Sequence, residues 1–577
     1  MHARHALGGV LVAASLALCL PAAARRPAPA QDPRRVVLQA MEAELDRAAK
    51  ELKIGDHPPP YFVGYLVRET ESIDLQARYG AIFRDDRDRQ RSTYVEVRVG
   101  SYELDNSGKK DEGFFGSASR ATYISDKSAP LENDVTALRA SLWLSTDEKY
   151  KEALSDYLKK RGDRVYDPEE KRAPSFSRET PVHYVAPRQR LDFDRARWRS
   201  EIRQASQELT RAPEIFDNFI RVGADKTIRW IANTEGTRII DEDLLYSLHI
   251  TAVARAEDGM LLTHSRSFYG RSQDDLPHGP RLRAEVDRLE RELLALRKAP
   301  VMDPYTGPAI LEPEATGVLF HEAIGHRLEG ERQDDEESGR TFKGQIGVKV
   351  VPEFLSVYDD PTLPSWQGRP LNGYYSYDDE GVAAQRAKLI EHGVLTGYLL
   401  SRSPVKGVPP KSNGHGRSQG TRDPMARMAN LIVRADPKSQ KVVDRRTLEK
   451  RLLEEARRQG KRYALIIADI AGGDTNTSGY GYQAFRGKPT LVYRIDVETG
   501  EKQLVRGVEL VGTPLTVINK IVAASNETDV FNGYCGAESG YVPVSTVAPA
   551  TLITEVELQR QRREAERPPV LPPPWAH

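Results

Sequence analysis

Leu38, Met41, Leu45, Ala48 and Leu52 recur at intervals of three and four, the spacing that lines one face of an α-helix. They predict an amphipathic helix at the start of the folded chain. From Tyr61 to about Leu104 the period falls toward two, and runs such as 61–67 and 94–99 alternate in the manner of antiparallel strands. Helical spacing returns from about Leu131 to Lys160. A second round follows, with a helix over 190–211, strands at 219–222 and 228–232, a turn at Asn233-Thr234-Glu235-Gly236, and strand texture to about Phe268. A charged helix with a Leu/Val stripe then spans 282–296. Helix, strands, helix, twice over, suggests duplicated units at the level of architecture, without a matching sequence repeat.

Beyond Pro300 the texture is richer in Gly, Pro and short β-type runs, such as 347–351 and 463–467, with one helix carrying the His/Glu motif of 321–326 and another over about 445–458. The expected fold class is therefore α+β: an N-terminal α+β region at 34–299 and a β-rich C-terminal domain at 300–556. Residues 25–33 read as a linker, and 557–577, charged and then Pro-rich, as a disordered tail.

Ahead of the linker, Arg4, an apolar stretch from Ala6 to Leu20 and Pro21-Ala22-Ala23-Ala24 have the three-part form of a secretory signal peptide over 1–24. The apolar stretch is short for a membrane span, which takes about 20 residues, and no later stretch is long enough. The expectation is an exported, periplasmic or secreted protein with no integral membrane segment after cleavage. The 84 basic and 84 acidic residues cancel, which speaks against a nucleic-acid partner needing a clustered basic surface. Cys19 leaves with the signal, and Cys535 then has no internal partner for a disulfide. A lone thiol in an oxidising compartment is a buried small hydrophobe or a ligand.

Candidate chemistry concentrates in His321-Glu322-Ala323-Ile324-Gly325-His326. Two imidazoles, a carboxylate between them and the distant Cys535 make a donor set suited to zinc, with Glu322 placed as general base. The spacing is i and i+5 rather than the i and i+4 of the usual zinc-protease helix, so the two rings lie roughly 140° apart on an ideal α-helix. Both reach one ion only where the helix ends or distorts, and Gly325 stands where such freedom is needed. Three protein ligands leave a position open for water. The competing reading is a closed, structural zinc site, whose fourth ligand by type is Glu329 or His392.

The stretches 303–308, 311–326 and 328–330 resemble the TldD branch of the TldD/PmbA family, proteins once described as modulators of DNA gyrase and now regarded as metallopeptidases. Segments 377–385, 413–417, 424–430, 471–474 and 533–536, followed by Val542-Pro543-Val544, match the family's pattern in order. The resemblance is strong over about 300–550 and one of texture in the N-terminal half. It implies zinc held by His321, His326 and Cys535 with Glu322 catalytic, and an active subunit, since the partner branch generally lacks the His/Glu motif. A homodimer, or a heterodimer with a motif-less partner, is implied in the same way. Family members are commonly cytoplasmic, from which the leader here departs.

The resemblance also implies cleavage of unfolded or flexible peptides, which can add as a strand to an exposed sheet edge. Asp379, Glu380, Asn413, Arg417 and Arg427 are candidates for lining such a cleft, the alternative being turn chemistry and surface charge. Arg417 or Arg427 is also placed to be considered for the oxyanion. The competing functional class is a non-catalytic peptide-binding scaffold with a structural metal, and within enzymes an amidase or deacylase. A scaffold tolerates loss of Glu322; a peptidase does not.

Overall fold

The computed structural model describes residues 32–107, 127–164, 173–333, 341–475, 485–561, 571 and 574–575. The leader at 1–24, the linker as far as 31 and the tail from 562, those three positions aside, lie outside the described residues. In the N-terminal half the elements run α1 (Arg35–Glu51), β1 (Pro60–Arg78), β2 (Ala81–Val99), α2 (Val135–Arg164), β3 (His183–Val185), α3 (Arg195–Glu208), β4 (Ile215–Asn233), β5 (Arg238–Arg255), β6 (Leu261–Gly270) and α4 (Pro280–Lys298). One sheet takes all six strands in the order β2-β1-β4-β5, with β6 and the short β3 both on β5. The helix–strands–helix texture therefore recurs twice, and the two units share a continuous sheet through the antiparallel pairing of β1 with β4.

The strands are longer than their apolar runs. β1 and β2 are a 19-residue pair, of which the outer half of β2 is charged and solvent-exposed. That half is held by pairing to β1 rather than by burial, so no alternation marks it. One face of the sheet is covered twice over. α1 and α2 pack on Val63, Tyr65, Val67 and Trp230 at one end, and α3 and α4 on Leu75, Ala77, Ile220, Val222 and Leu248 at the other. On the opposite face Leu66, Ile231 and Ile239 meet Tyr377 of the C-terminal half, and Arg68 and Arg229 reach across as described below.

The C-terminal half begins with β7 (Tyr305–Leu311), then α5 (Pro313–Phe320). Its 12-stranded sheet contains a closed ring. β7 pairs in parallel with Tyr463–Thr475, that strand with Phe485–Asp496, that with Val508–Gly512, that with Gly540–Arg560, and the last returns to β7. Closure removes exposed edges from these strands. The last strand runs to Arg560, its end paired with 508–511, so residues 557–560 are sheet rather than tail. Beyond its first turn α5 is almost wholly apolar and buried, packing against 540–560, 463–475 and Ile521–Ala537, as expected of a helix enclosed by the core. Pro313 opens it at a position where a missing N–H costs nothing. Among the described residues no helix is long and apolar enough to cross a membrane.

Candidate metal centre

α5 does not continue as an α-helix through its histidines. His321–Gly325 form a π turn, closed by the His326 N–H donating to the His321 carbonyl, and His326–Leu328 tighten into a 3-10 turn. An i→i+5 bond brings residue i+5 back over residue i, so the π turn puts both imidazoles on one side. The distortion called for by the i,i+5 spacing is thus present, but its source differs from the expectation. Gly325 has ordinary right-handed helical angles, φ −54° and ψ −59°. What requires glycine there is proximity: a Cβ would lie 1.9 Å from the Met428 sulfur.

Cys535 arrives on the strand Ile521–Ala537, paired across the hairpin with Val542. Its Sγ lies 3.1 Å from His321 Nε2 and 3.4 Å from His326 Nε2. The two rings stand perpendicular with centroids 5.1 Å apart. His321, His326 and Cys535 are 9, 7 and 2% exposed, and their three ligand atoms all lie within 4.8 Å of one another. Tetrahedral zinc with Zn–N near 2.0 Å and Zn–S near 2.3 Å holds such atoms about 3.5 Å apart. The donor set and its spacing therefore fit a zinc ion.

The surroundings orient the ligands. His326 Nδ1, the nitrogen turned away from the sulfur, is 3.1 Å from Glu329 Oε1. Glu329 accepts at its other oxygen from Arg332 Nε at 2.7 Å, and Arg332 in turn grips Glu538 at 2.7 Å. Arg427 donates to the Cys535 carbonyl at 2.7 Å and to Sγ at 3.1 Å. Burial pushes the Cys535 thiol up, but the charges of His326 and His321 outweigh it and hold the thiol well below its ordinary value. Burial likewise pushes Glu329 up, and His326 and Arg332 overcome it, bringing the carboxyl down to about 2. Glu322, inside the π turn and 7% exposed, is pushed up by burial against the opposing pull of His321 and His326. Gly473 passes directly over it, where a Cβ would sit 2.9 Å from Glu322 Cγ.

Neither proposed fourth ligand joins the group. Glu329 is committed to the far nitrogen of His326, and His392 is an exposed turn residue with φ +47°. Among the described residues the cluster offers three potential ligands and no more.

A model of the PmbA/TldA metallopeptidase C-terminal domain matches residues 304–560, the segment that holds all three ligands and Glu322. Residues 304–560 thus carry a domain of the TldD/PmbA family. The chain is 31% identical over 236 residues to a metalloprotease of Methanocaldococcus jannaschii, covering 41% of this chain and 47% of that protein. It is 28% identical over 255 residues to a zinc metalloprotease TldD homolog of Saccharolobus solfataricus, covering 44% and 51%. The chain thus spans about half the length of the curated relatives it matches. Among solved structures, a protein described as a putative modulator of a DNA gyrase from Thermotoga maritima superposes with a TM-score of 0.59 at 15% identity, over 90% of this chain and 99% of that one. TldE from Thermococcus kodakarensis gives 0.57 at 14%, over 90% and 100%. These two establish the shared fold.

The remaining candidates are committed to internal contacts. Asp379 is buried between Arg229 at 2.8 Å and Arg68 at 3.0 Å of the N-terminal sheet, and also accepts from the Ser418 N–H. Glu380 accepts from the Arg402 N–H at 2.7 Å. Asn413 bridges the Leu400 N–H and the Tyr398 carbonyl. Arg417 donates to the Met428 carbonyl at 2.6 Å and covers the Tyr375 ring. Of the five, Arg427 alone touches one of the three donor side chains, bonding to the Cys535 sulfur. Glu329, expected only as a possible fourth ligand, instead holds the His326 ring from three residues on; Arg427's place beside Cys535, a contact across 108 residues of sequence, had no local signal.

Proposed function

We propose that this chain is an exported, zinc-dependent peptidase acting on unfolded or flexible polypeptides. The observation that carries the reading is the convergence of His321, His326 and Cys535 on one point beside the buried carboxylate of Glu322, with three ligands rather than four. The names of the family relatives, metalloprotease and zinc metalloprotease, support it. A zinc ion held there supplies Lewis acidity at a scissile carbonyl and acidifies water. Glu322 takes the proton of the attacking water and passes it to the departing amine nitrogen. The upward push that burial gives its carboxyl is in the direction a base working near neutral pH requires. Glu329 keeps the proton of His326 on Nδ1, leaving Nε2 free to bind.

Export rests on the leader-like stretch from Arg4 to Ala24. For assembly, we propose a homodimer or pairing with a family member lacking the His/Glu motif, a reading encouraged by the shared fold with TldE. The test is chelation. Treating the purified protein with a strong chelator abolishes hydrolysis of an unfolded, fluorogenic polypeptide, and stoichiometric zinc restores it. Undiminished turnover in a preparation shown to be metal-free would contradict the proposal.

A further inference from the structure

Arg427 and Glu329 are both fully buried, at 0% exposure. Burying a guanidinium is costly unless its donors and charge are matched. Four of the acceptors around Arg427 lie on the Cys535 hairpin: the Cys535 carbonyl and Sγ on one terminal nitrogen, and Ser539 Oγ at 2.8 Å and the Gly540 carbonyl at 2.9 Å on the other. Its Nε faces Glu329 Oε1 at 3.4 Å. The same oxygen contacts His326 Nδ1, and His326 Nε2 faces the sulfur. The contacts thus close a circuit from Sγ through the His326 ring, Glu329 and Arg427 back to Sγ. It ties His326, just after the π turn, to Cys535 more than 200 residues away, through a residue belonging to neither segment.

We infer that Arg427 and Glu329 are positioning residues for the metal centre: together they lock the Cys535 sulfur against the His326 ring, and Arg427 withdraws electron density from the thiolate. This rests on the metal centre proposed above. Tying the segment around Arg427 to the hairpin needs only the carbonyl and hydroxyl contacts. The additional bond to sulfur acts on the ligand itself, because a donor to a thiolate lowers its electron donation and leaves the metal a stronger Lewis acid. Glu329 acts on the other leg, fixing the tautomer and orientation of His326.

Cobalt(II) reports on the two legs separately, since thiolate-to-cobalt charge transfer absorbs in the near ultraviolet. The full-length protein and its variants Arg427→Lys, Glu329→Gln and Cys535→Ala are loaded with cobalt, and both the band position and the rate of metal release to a chelator are recorded. Wild type shows the band and Cys535→Ala lacks it. Arg427→Lys keeps the charge but cannot reproduce the fork, so its band moves to longer wavelength and release is about 10–100-fold faster. Glu329→Gln leaves Arg427 on the sulfur; its release accelerates similarly while the band stays in place, and it carries the test should Arg427→Lys fail to fold. Wild-type band position and release rate in both folded variants would overturn the inference with the metal centre intact. Absence of the band from wild type would overturn the metal centre itself, and the inference with it.

Discussion

Glu322→Gln lowers turnover of a flexible peptide by about 10²–10⁴-fold while the protein keeps its metal. The carboxamide has the shape of the carboxylate but accepts no proton at working pH, so only the proton relay is removed. Glu322 is not one of the three ligands, and metal content should not change. The substitution also relieves the cost of burying an ionisable carboxyl, so the folded state should be no less stable. The measurement is kcat and KM with metal analysis on the same preparations. Full activity would remove Glu322 as the base, absence of turnover in wild type as well would favour the scaffold reading, and loss of metal would make Glu322 a ligand.

Asp379→Ala destabilises the protein by about 3 kcal/mol, a drop of roughly 3–5 °C in thermal midpoint. Arg68 and Arg229 stand directly opposite one another on β1 and β4, a like-charge pair that is unfavourable unless something lies between. Asp379 supplies that charge, from the C-terminal half, at 2.8 and 3.0 Å. Each arginine retains other acceptors, Asp241 for Arg229 and the Ser418 and Gly420 carbonyls for Arg68, which keeps the loss near the lower end for a broken buried pair. Burial pushes the Asp379 carboxyl up, but Arg68 and Arg229 bring it down to about 2. A carboxyl depressed in the fold contributes stability above its unfolded value, near 4, and loses it as pH falls toward 2. The difference in midpoint between wild type and Asp379→Ala is therefore full at pH 7 and shrinks below about pH 4. A substrate contact would behave otherwise, raising KM with no change in midpoint.

The periodic helices were legible because each buries a single stripe: the residues spaced from Leu38 to Ala48 are those α1 turns inward, and the helices over 282–296 and 445–458 fall within Pro280–Lys298 and on Arg445–Arg458. The outer half of β2 was not, because it is paired without being buried and carries no alternation. At the metal centre, spacing alone demanded a break between His321 and His326, and a π turn provides it. The role of Gly325 could not be read locally, since the Met428 sulfur that excludes a side chain there comes from 103 residues away. Asp379, Glu380, Asn413 and Arg417 have the residue types of a binding cleft, yet their partners lie inside the fold. A charged residue looks the same in sequence whether it faces a substrate or a buried counter-charge.

The most direct test is the zinc content of the purified protein beside that of Cys535→Ala. About one zinc per chain in wild type, lost in the variant, is the predicted result and joins the helix motif and the distant cysteine into one centre. Equal zinc in both proteins would remove Cys535 from the ligand set and contradict the account.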